Sequence, residues 1–391
     1  MRIGILTFHS EINYGSVLQA LALQTHLISL GYDVVVIDKW EDADNRRLLG
    51  PLATCSVKEF LRFCICAVLQ MGSVARLSRC IKTIIFLRRY LKRTKYHFYK
   101  WAQAPRRLGL DMIVIGSDQV WNPRIVAPSD YLMESVPGNI PGIAYAASFG
   151  QHELLLEWRD AYVAGFRRLK AISCRESEGV RLVDETGVKA EHVADPTILV
   201  DPQLCWHRFI EKKKNGQSLV VYNMNSDQKE VLLKLKEFAT QNRIDVFYFS
   251  QTLPFGPIPK SIKSLVQYVR FRSALRSRYL HLMISASPAQ WVRAFAGANY
   301  VLTNSFHGLM FSTIFRKNVR VVLSESTLLD DPSTARILEF AGAMIKGDVV
   351  CSSLEEALKS LVNEEQPEYD NEAISAFRSR SERWLRNALV V

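Results

Sequence analysis

The chain has 391 residues, 48% of them apolar, and 50 lysines and arginines against 39 acids give it a formal net charge of +11. This length exceeds the size at which a single hydrophobic core usually stops growing, so we expect two domains. The sequence has no run of about 18 uncharged apolar residues and no N-terminal signal-peptide pattern. From these features we expect no membrane-spanning helix and predict a soluble, cytoplasmic protein.

The first part of the chain predicts a β-α-β opening, with a strand in Met1–Phe8, a helix over Val17–Leu30 that stops at Gly31, and a strand over Asp33–Asp38. Further strands are predicted at Met112–Ile115, Ile143–Ala147 and Ala171–Cys174, with helices near Leu154–Leu169 and from Ser177. This order is typical of a parallel sheet covered by helices. We assign residues 1–200 to a first domain.

A second α/β series follows in residues 201–391. Its predicted strands are Leu219–Met224, Asp245–Phe249, Leu282–Ser285, Tyr300–Thr303 and Val319–Leu323. Its predicted helices are Asp227–Gln241, Pro288–Ala296, Leu309–Phe315, Ser333–Ala341 and the terminal helix Asn371–Leu389. The pattern favours two Rossmann-like, doubly wound α/β domains that face a cleft, with ligands at the carboxyl ends of the strands.

A basic segment interrupts the first domain at about residues 56–107. Between Ser56 and Arg107 it holds thirteen lysines and arginines and one acid, Glu59. It predicts two helices, Val57–Gln70 and Val74–Tyr99. Two interpretations stay open: a solvated helical hairpin, or basic amphipathic helices that contact an anionic membrane surface or a lipid-pyrophosphate acceptor. No nucleic-acid motif accompanies the charge, so nucleic acid is not an expected partner.

The cysteines and acids do not predict a metal site. Cys64 and Cys66 are spaced C-x-C but lack nearby Cys or His partners, and most of the seven cysteines lie in apolar stretches, as reduced thiols do. Asp38, Asp118 and Asp195 are not at recognisable ligand spacing. We expect neither a structural metal nor a redox cofactor.

Four polar segments follow predicted strands, where an α/β fold presents its functional groups. The first is N-Y-G-S, formed by Asn13, Tyr14, Gly15 and Ser16 before a helix. Amides at a helix N-terminus bind anions or polar groups, and Gly15 permits a backbone conformation closed to other residues. We therefore predict that these four residues contact the substrate. The same residues also form ordinary turns and caps.

The second segment, G-S-D-Q-V-W-N-P, follows an apolar strand and begins at Gly116. It combines hydrogen-bonding side chains with an indole, which suits a polyhydroxylated sugar. The predicted substrate contacts are Gly116, Ser117, Gln119, Trp121 and Asn122, with Asp118 as a base or acceptor-positioning carboxylate. The alternative is a capped loop with Trp121 in the core.

The third segment is C-R-E-S, in which Arg175 ends a strand and precedes a helix. A guanidinium there can hold a phosphate or carboxylate through two parallel bonds, supported by helix amides. The alternative is a surface ion pair of Arg175 with Glu176 or Glu178.

The fourth segment is T-N-S-F-H-G, which contains Asn304, Ser305, His307 and Gly308 between a strand and a helix. A histidine at a helix N-terminus titrates near neutrality and can deliver a proton or contact a phosphate. The alternative is a structural histidine. We predict that His307 is catalytic and that Asn304, Ser305 and Gly308 contact the substrate.

Six segments in this order look like the polysaccharide pyruvyl transferase family, over roughly residues 1–325. They are N-Y-G-S-V-L-Q-A-L-A-L, G-S-D-Q-V-W-N-P, A-Y-A-A-S-F-G, S-C-R-E-S, A-D-P-T and T-N-S-F-H-G. The resemblance implies a two-Rossmann-domain fold similar to that of the two-domain glycosyltransferases, with the active site between the domains. It also implies phosphoenolpyruvate as donor, no cofactor, and a sugar or lipid-linked saccharide as acceptor.

By the same resemblance, Arg175 matches the arginine that contacts phosphoenolpyruvate and His307 the histidine proposed as general acid. One departure is Ser305, because better-known members carry an arginine two residues before the histidine. The donor's charge must then be met by Arg175, backbone amides or another basic residue. Two other functions remain as alternatives: a glycosyltransferase that uses a nucleotide sugar, and a non-catalytic membrane-surface scaffold.

Overall fold

The computed structural model describes residues 1–9, 13–39, 72–94, 104–133, 136, 138–211, 216–222, 224, 228–250, 262–323, 334–363 and 366–390. The predicted helix Val57–Gln70 lies outside the described residues, as does the part of the predicted helix Val74–Tyr99 beyond residue 94.

The first domain is built on a six-stranded parallel sheet. Its strands are β1 (Arg2–Leu6), β2 (Asp33–Val36), β3 (Met112–Ile115), β4 (Gly142–Ala147), β5 (Ala171–Cys174) and β6 (Glu191–His192), in the order β2-β1-β3-β4-β5-β6. Both faces of β3 and β4 are buried. Burial on both faces explains why these strands read as continuous apolar runs.

The helices of the first domain cover this sheet. They are α1 (Tyr14–Ser29), α2 (Gly72–Tyr90), α3 (Ala104–Leu108), α4 (Arg159–Phe166), α5 (Ser177–Asp184), α6 (Pro196–Leu199) and α7 (Pro202–Cys205). Helix α1 begins three residues before the predicted start because the Asn13 side chain caps it, accepting a bond from the Gly15 amide. The predicted helix 154–169 is instead a 3₁₀ turn, Leu156–Trp158, followed by the shorter α4.

The second domain has the same construction. Its strands are β7 (Ser218–Tyr222), β8 (Asp245–Phe249), β9 (Leu280–Leu282), β10 (Tyr300–Thr303), β11 (Asn318–Val322) and β13 (Val350–Cys351), in the parallel order β13-β11-β10-β7-β8-β9. A short antiparallel pair joins β12 (Ile345–Lys346) to β14 (Glu368–Tyr369). The strand predicted at 282–285 lies two residues earlier, as β9.

The helices of the second domain agree closely with the periodic segments of the sequence. They are α8 (Gln228–Asn242), α9 (Ile262–Ala274), α10 (Pro288–Gly297), α11 (Phe306–Ile314), α12 (Thr334–Met344), α13 (Leu354–Asn363) and α14 (Asn371–Leu389). Helix α11 starts three residues before the predicted position, which places His307 in its first turn. Helices α9 and α13 were not predicted.

The two domains are joined by direct contacts. Tyr14 at the start of α1 donates its hydroxyl proton to the Ala286 carbonyl (2.9 Å), and its ring stacks on Trp291 at 5.7 Å. Helix α14 follows the second sheet in sequence but packs on the first domain, where Ser381 Oγ accepts a bond from the Ala194 amide (2.8 Å). These contacts fix the relative position of the two facing strand edges.

The described part of the basic segment also connects the domains. From α2, Arg79 donates to the Ile284 carbonyl and Lys82 to the Ser285 carbonyl (2.8 Å), both in the second domain. The helix ends at Tyr90, nine residues before the predicted end, because the chain turns to pair Arg93 with Val36 beside β2. Among the described residues, no helix is long and apolar enough to cross a membrane.

Candidate active site

A charged cluster of Asp118, Arg175, Asp195 and His307 lies where the two domains meet. Asp118 follows β3, Arg175 follows β5, Asp195 caps α6, and His307 opens α11 after β10. The carboxyl ends of neighbouring parallel strands lie at one edge of a sheet, so residues distant in sequence converge. All four are at most 7% exposed.

Arg175 forms the centre of the charged cluster. Its guanidinium lies 3.4 Å from Asp118 Oδ1, 3.4 Å from Asp195 Oδ2 and 3.5 Å from Glu176 Oε2. Burial alone lowers the pKa of this guanidinium, but the three carboxylates outweigh it and raise the pKa, so Arg175 stays charged. The sequence predicted a guanidinium free to form two parallel bonds to a ligand, whereas here three carboxylates of the protein surround it. Direct contact of Arg175 with a phosphate stays a prediction.

Asp118 has a strained backbone and an ionised side chain. Its φ of 86° lies in the region that few residues other than glycine adopt. Its carboxylate accepts bonds from Ser16 Oγ (2.6 Å) and from the Gln119 amide (2.9 Å). Burial raises the pKa of Asp118, but Arg175, His307 and these two bonds outweigh it and hold the pKa below its ordinary value. A carboxylate so stabilised is a weak base, which favours a positioning role.

Asp195 was not among the predicted site residues. Its Oδ1 accepts bonds from the Thr197 amide (2.9 Å) and hydroxyl (2.7 Å), and its Oδ2 accepts from Ser117 Oγ (3.0 Å). Oδ2 also lies 3.8 Å from His307 Nε2. The A-D-P-T segment is part of the family resemblance, but the sequence assigned its aspartate no role in the site.

His307 is a buried imidazole whose Nε2 has no hydrogen-bond partner among the described residues. Burial lowers its pKa, Asp195 and Asp118 raise it, and Arg175 and Arg336 lower it; the net direction is downward. His307 is therefore mainly neutral at neutral pH in the protein alone.

Gly15 lies directly against this imidazole. A Cβ placed on Gly15 would lie only 2.2 Å from His307 Nδ1. The expected reason for this glycine is wrong, because Gly15 is helical and is not among the glycines with a positive φ. Its function in the fold is to leave room for His307 from the other domain.

An interdomain cleft of about 210 Å³ adjoins the cluster. It is lined by Gly150, Gln151, His152, Glu176, Ser177, Glu178, Ala335, Arg336 and Glu339. In the described part of the chain, buried polar atoms without hydrogen-bond partners occur here on both amide atoms of Gln151 and on Glu176 Oε2, and another is Asn304 Oδ1 in the segment that carries His307. Since buried polar groups are normally satisfied, such a concentration is typical of a ligand site.

Arg336 on α12 is a second site residue that the sequence did not predict. Its guanidinium lies 5.2 Å from the Phe306 ring centre, and its two terminal nitrogens lie 3.0 and 3.1 Å from the Gln119 side-chain amide when the amide oxygen faces them. In the opposite orientation of the amide, Gln119 Oε1 instead accepts a bond from Asn122 Nδ2 at 2.7 Å. Gln119, a predicted substrate-binding residue, is therefore within hydrogen-bond reach of Arg336 across the cleft.

Two predicted substrate contacts are wrong. Trp121 is fully buried, donates its Nε1 proton to the Tyr131 carbonyl (3.1 Å) and packs on Phe166, so it is a core residue as the alternative had it. Tyr14 is 1% exposed and is used in the interdomain contact described above. Their side chains point into the interior and present no face to a sugar.

The remaining predicted residues support the cluster. Ser117 holds Asp195, and Ser16 holds Asp118. Gly116 and Gly308 are close-packing sites, since an added Cβ would lie 2.8 Å from Thr7 Cβ and 2.2 Å from Thr303 Oγ1 respectively. Ser305 occupies the N-cap position of α11, but its side chain makes no capping bond. Asn13 caps α1.

The described residues offer no group of three or more His, Cys, Asp or Glu placed to hold a metal ion. The described cysteines, Cys80, Cys174, Cys205 and Cys351, are free buried thiols. Burial raises the pKa of Cys205 to about 12, which leaves its thiol protonated and unreactive.

Residues 13–326 match the family model described as polysaccharide pyruvyl transferase. A comparison with curated proteins finds no match. Among solved structures, the chain resembles a UDP-GlcNAc 2-epimerase from Methanocaldococcus jannaschii in complex with UDP-GlcNAc and UDP, with a TM-score of 0.54, 13% identity and 99% of each chain covered. It also resembles S. aureus MnaA bound to UDP, with a TM-score of 0.51, 11% identity, and 98% of this chain and 95% of that chain covered. At such identities the likeness establishes only the fold, which is the two-domain glycosyltransferase and epimerase type.

Proposed function

Because the chain belongs to the polysaccharide pyruvyl transferase family, we propose that it moves the enolpyruvyl unit of phosphoenolpyruvate onto two hydroxyls of one sugar, forming a ketal. The acceptor is a sugar of a cell-surface polysaccharide or of its lipid-linked precursor. The observation that carries the proposal is His307, a buried histidine in the first turn of a helix, whose Nε2 lies 3.8 Å from Asp195 and has no hydrogen-bond partner within the ranges that the structure describes.

The donor is a small polyanion, and helix N-termini supply groups that can hold it. The contact of Gly15 with His307 brings the starts of α1 and α11 together, and α5 begins two residues after Arg175. The first amides of a helix have no partner within the helix, and each N-terminus favours an anion by about 0.3–1 kcal/mol. The uncapped start of α11 at Ser305 suits this role.

Arg336 is the basic residue that can replace the family arginine missing at Ser305. Its positive charge lowers the pKa of the His307 imidazole. Its guanidinium lies over the ring of Phe306, the residue between Ser305 and His307. Arg175, by contrast, is already surrounded by three carboxylates. We assign the donor's charge to the helix amides and Arg336, and to Arg175 the task of holding Asp118 and Asp195 in place.

In the proposed first step His307 protonates the methylene carbon of phosphoenolpyruvate. A bound polyanion favours the charged imidazolium, and Asp195 acts in the same direction, so donor binding counteracts the lowered pKa of His307. Carbon 2 then becomes oxocarbenium-like, and the first sugar hydroxyl bonds to it while its proton returns to His307.

In the second step the other hydroxyl bonds to carbon 2, the bond from carbon 2 to the phosphate oxygen breaks, and the proton of that hydroxyl leaves with the phosphate. The reaction balances without an oxidant or reductant, so it uses no redox cofactor. The ionised Asp118, held by Ser16, is placed to accept a hydrogen bond from an acceptor hydroxyl.

The test is acceptor-dependent release of phosphate from phosphoenolpyruvate, measured with a panel of glycosides and followed by mass spectrometry of the pyruvylated sugar. His307→Asn is expected to lower turnover by roughly 100- to 10,000-fold while the protein stays folded, as for loss of a general acid. Consumption of a nucleotide sugar with transfer of its glycosyl group, while phosphoenolpyruvate stays intact, would instead support the glycosyltransferase alternative.

A further inference from the structure

Helix α2 has two faces of different character. The face that packs on the protein carries Arg79, Cys80, Thr83, Phe86 and Leu87, each 2–4% exposed. The opposite face carries Ile81 and Ile85, 50% and 57% exposed, followed by the exposed Arg88 and Arg89. These four positions are spaced i, i+4, i+7 and i+8, so they lie on one side of the helix. We call them the outer face of α2.

The composition of this outer face is unusual for a solvated helix. Single exposed apolar residues are ordinary, but here two isoleucines one turn apart adjoin two arginines, and α2 contains no acid. Within the described residues neither Arg88 nor Arg89 forms an ion pair, although Arg89 lies over the Tyr90 ring at 5.4 Å. Apolar and basic groups on the same exposed face are the pattern of a helix that lies in a membrane interface.

The packed face of α2 fixes the orientation of the outer face. Arg79 and Lys82 bond to backbone carbonyls of the second domain, and Phe86 packs against Phe209 of the same domain at 5.5 Å. The Arg79 guanidinium also lies over the ring of Tyr14 in the first domain, at 5.4 Å. A helix held to both domains presents its outer face in one fixed direction. The two isoleucines are thereby held in water. Their apolar surface contributes favourable free energy only when another apolar phase covers it.

From these observations we infer that the outer face of α2 docks the protein on an anionic lipid bilayer. The arginines would contact lipid phosphates, and Ile81 and Ile85 would enter the boundary between headgroups and acyl chains. A bilayer fits better than a nucleic acid, because a phosphate backbone offers no apolar surface to the two isoleucines. The inference does not depend on the proposed chemistry, since vesicle binding is measured without donor or acceptor.

The experiment is sedimentation of the full-length protein with vesicles of phosphatidylcholine, alone or mixed with phosphatidylglycerol, at about 0.1 M and about 1 M salt. We expect binding to the mixed vesicles only, and release at high salt. The double variants Ile81→Ser/Ile85→Ser and Arg88→Gln/Arg89→Gln are each expected to weaken binding roughly tenfold or more. The conservative Ile81→Leu/Ile85→Leu variant keeps the apolar face and is expected to bind as the parent does.

Two matched controls change the same kinds of residue elsewhere. Arg380→Gln/Arg383→Gln removes two exposed charges from α14, and Leu233→Ser/Val362→Ser removes two exposed apolar side chains from α8 and α13. Both controls are expected to keep vesicle binding. The inference is overturned by absence of binding to mixed vesicles, by equal binding to neutral vesicles, by equal losses in the controls, or by parent-like binding of both α2 variants. Binding of a nucleic-acid probe in place of vesicles would also overturn it.

Discussion

Gly15 and His307 meet across the two domains, with the position of a Cβ on Gly15 only 2.2 Å from His307 Nδ1. The start of α1 thus determines where the imidazole of α11 can lie. The opposite nitrogen, Nε2, is left facing Asp195. A residue without a side chain in one domain therefore sets the position of the proposed acid in the other.

Adding a methyl group at this contact provides the first prediction. Gly15→Ala places a carbon inside the van der Waals radius of the imidazole, so His307 must move, and a displacement near 1 Å can lower the rate about a hundredfold. Turnover is measured beside that of Gly342→Ala, a helical glycine at which an added Cβ has no atom of the described residues within 4 Å. Parent-like turnover of Gly15→Ala would show that His307 has room to adjust.

The second prediction concerns Asp195 as the residue that positions and stabilises the His307 imidazolium. Asp195→Asn keeps the shape but removes the charge that raises the pKa of His307. Because a general acid must be protonated, the decline of kcat at high pH is expected to begin at a lower pH in this variant.

The control for Asp195 is Asp201→Asn, which removes another capping carboxylate, one that accepts a bond from the Gln203 amide at the start of α7. A capping role alone would lower the melting temperature of both variants and leave both pH profiles unchanged. That outcome would contradict the positioning role of Asp195.

The third prediction tests whether Arg175 stabilises the fold as a buried cation or only forms a surface ion pair. Arg175→Met leaves Asp118, Asp195 and Glu176 without their shared cation, and breaking a buried pair in this way costs about 3–5 kcal/mol. The free energy of unfolding is measured in urea. The matched Arg181→Met variant loses ion pairs with Glu178 and Glu185 at the surface and is expected to lose less than about 1 kcal/mol. Equal losses would contradict the central place of Arg175 in the cluster.

The fourth prediction is the pH dependence of stability. Because folding lowers the pKa of His307, the unfolded chain binds the proton more readily, and stability falls as pH drops below the unfolded pKa of about 6.5. The limiting slope is about 1.4 kcal/mol per pH unit for one histidine. His307→Gln is expected to reduce the loss of stability between pH 7 and pH 5, measured by denaturant unfolding.

His152→Gln, at an exposed histidine paired with Glu178, is the control for this pH series. If His307→Gln shows the same acid dependence as the parent and this control, the imidazole is not held neutral by the fold. His26, whose pKa burial also lowers, accounts for part of the remaining slope.

Much of the fold follows from the sequence because buried parallel strands leave an unambiguous signal. Strands β3, β5, β8 and β10 have the predicted bounds, and so does helix α14. The fold class and the family were predicted correctly. The four polar segments also lie where strands end, which is why Asp118, Arg175 and His307 meet.

What the sequence does not reveal depends on side-chain direction and on contacts between domains. Trp121 lies three residues after Asp118, whose φ is 86°, and its indole is buried in the core. Arg336 reaches the site only because α12 of the second domain packs beside the loops of the first. Asp195 looks like an ordinary turn residue until Ser117 and His307 are placed around its Oδ2.

The most direct test of the account is titration of the purified protein with phosphoenolpyruvate while the histidine signals are followed by NMR. The His307 signal is assigned by its absence in His307→Asn. The account predicts saturable binding, with His307 moving from the neutral toward the imidazolium form as the donor's charge raises its pKa, and no such change with UDP-GlcNAc. An unaltered His307 signal at saturating phosphoenolpyruvate, or a response to the nucleotide sugar alone, would contradict it.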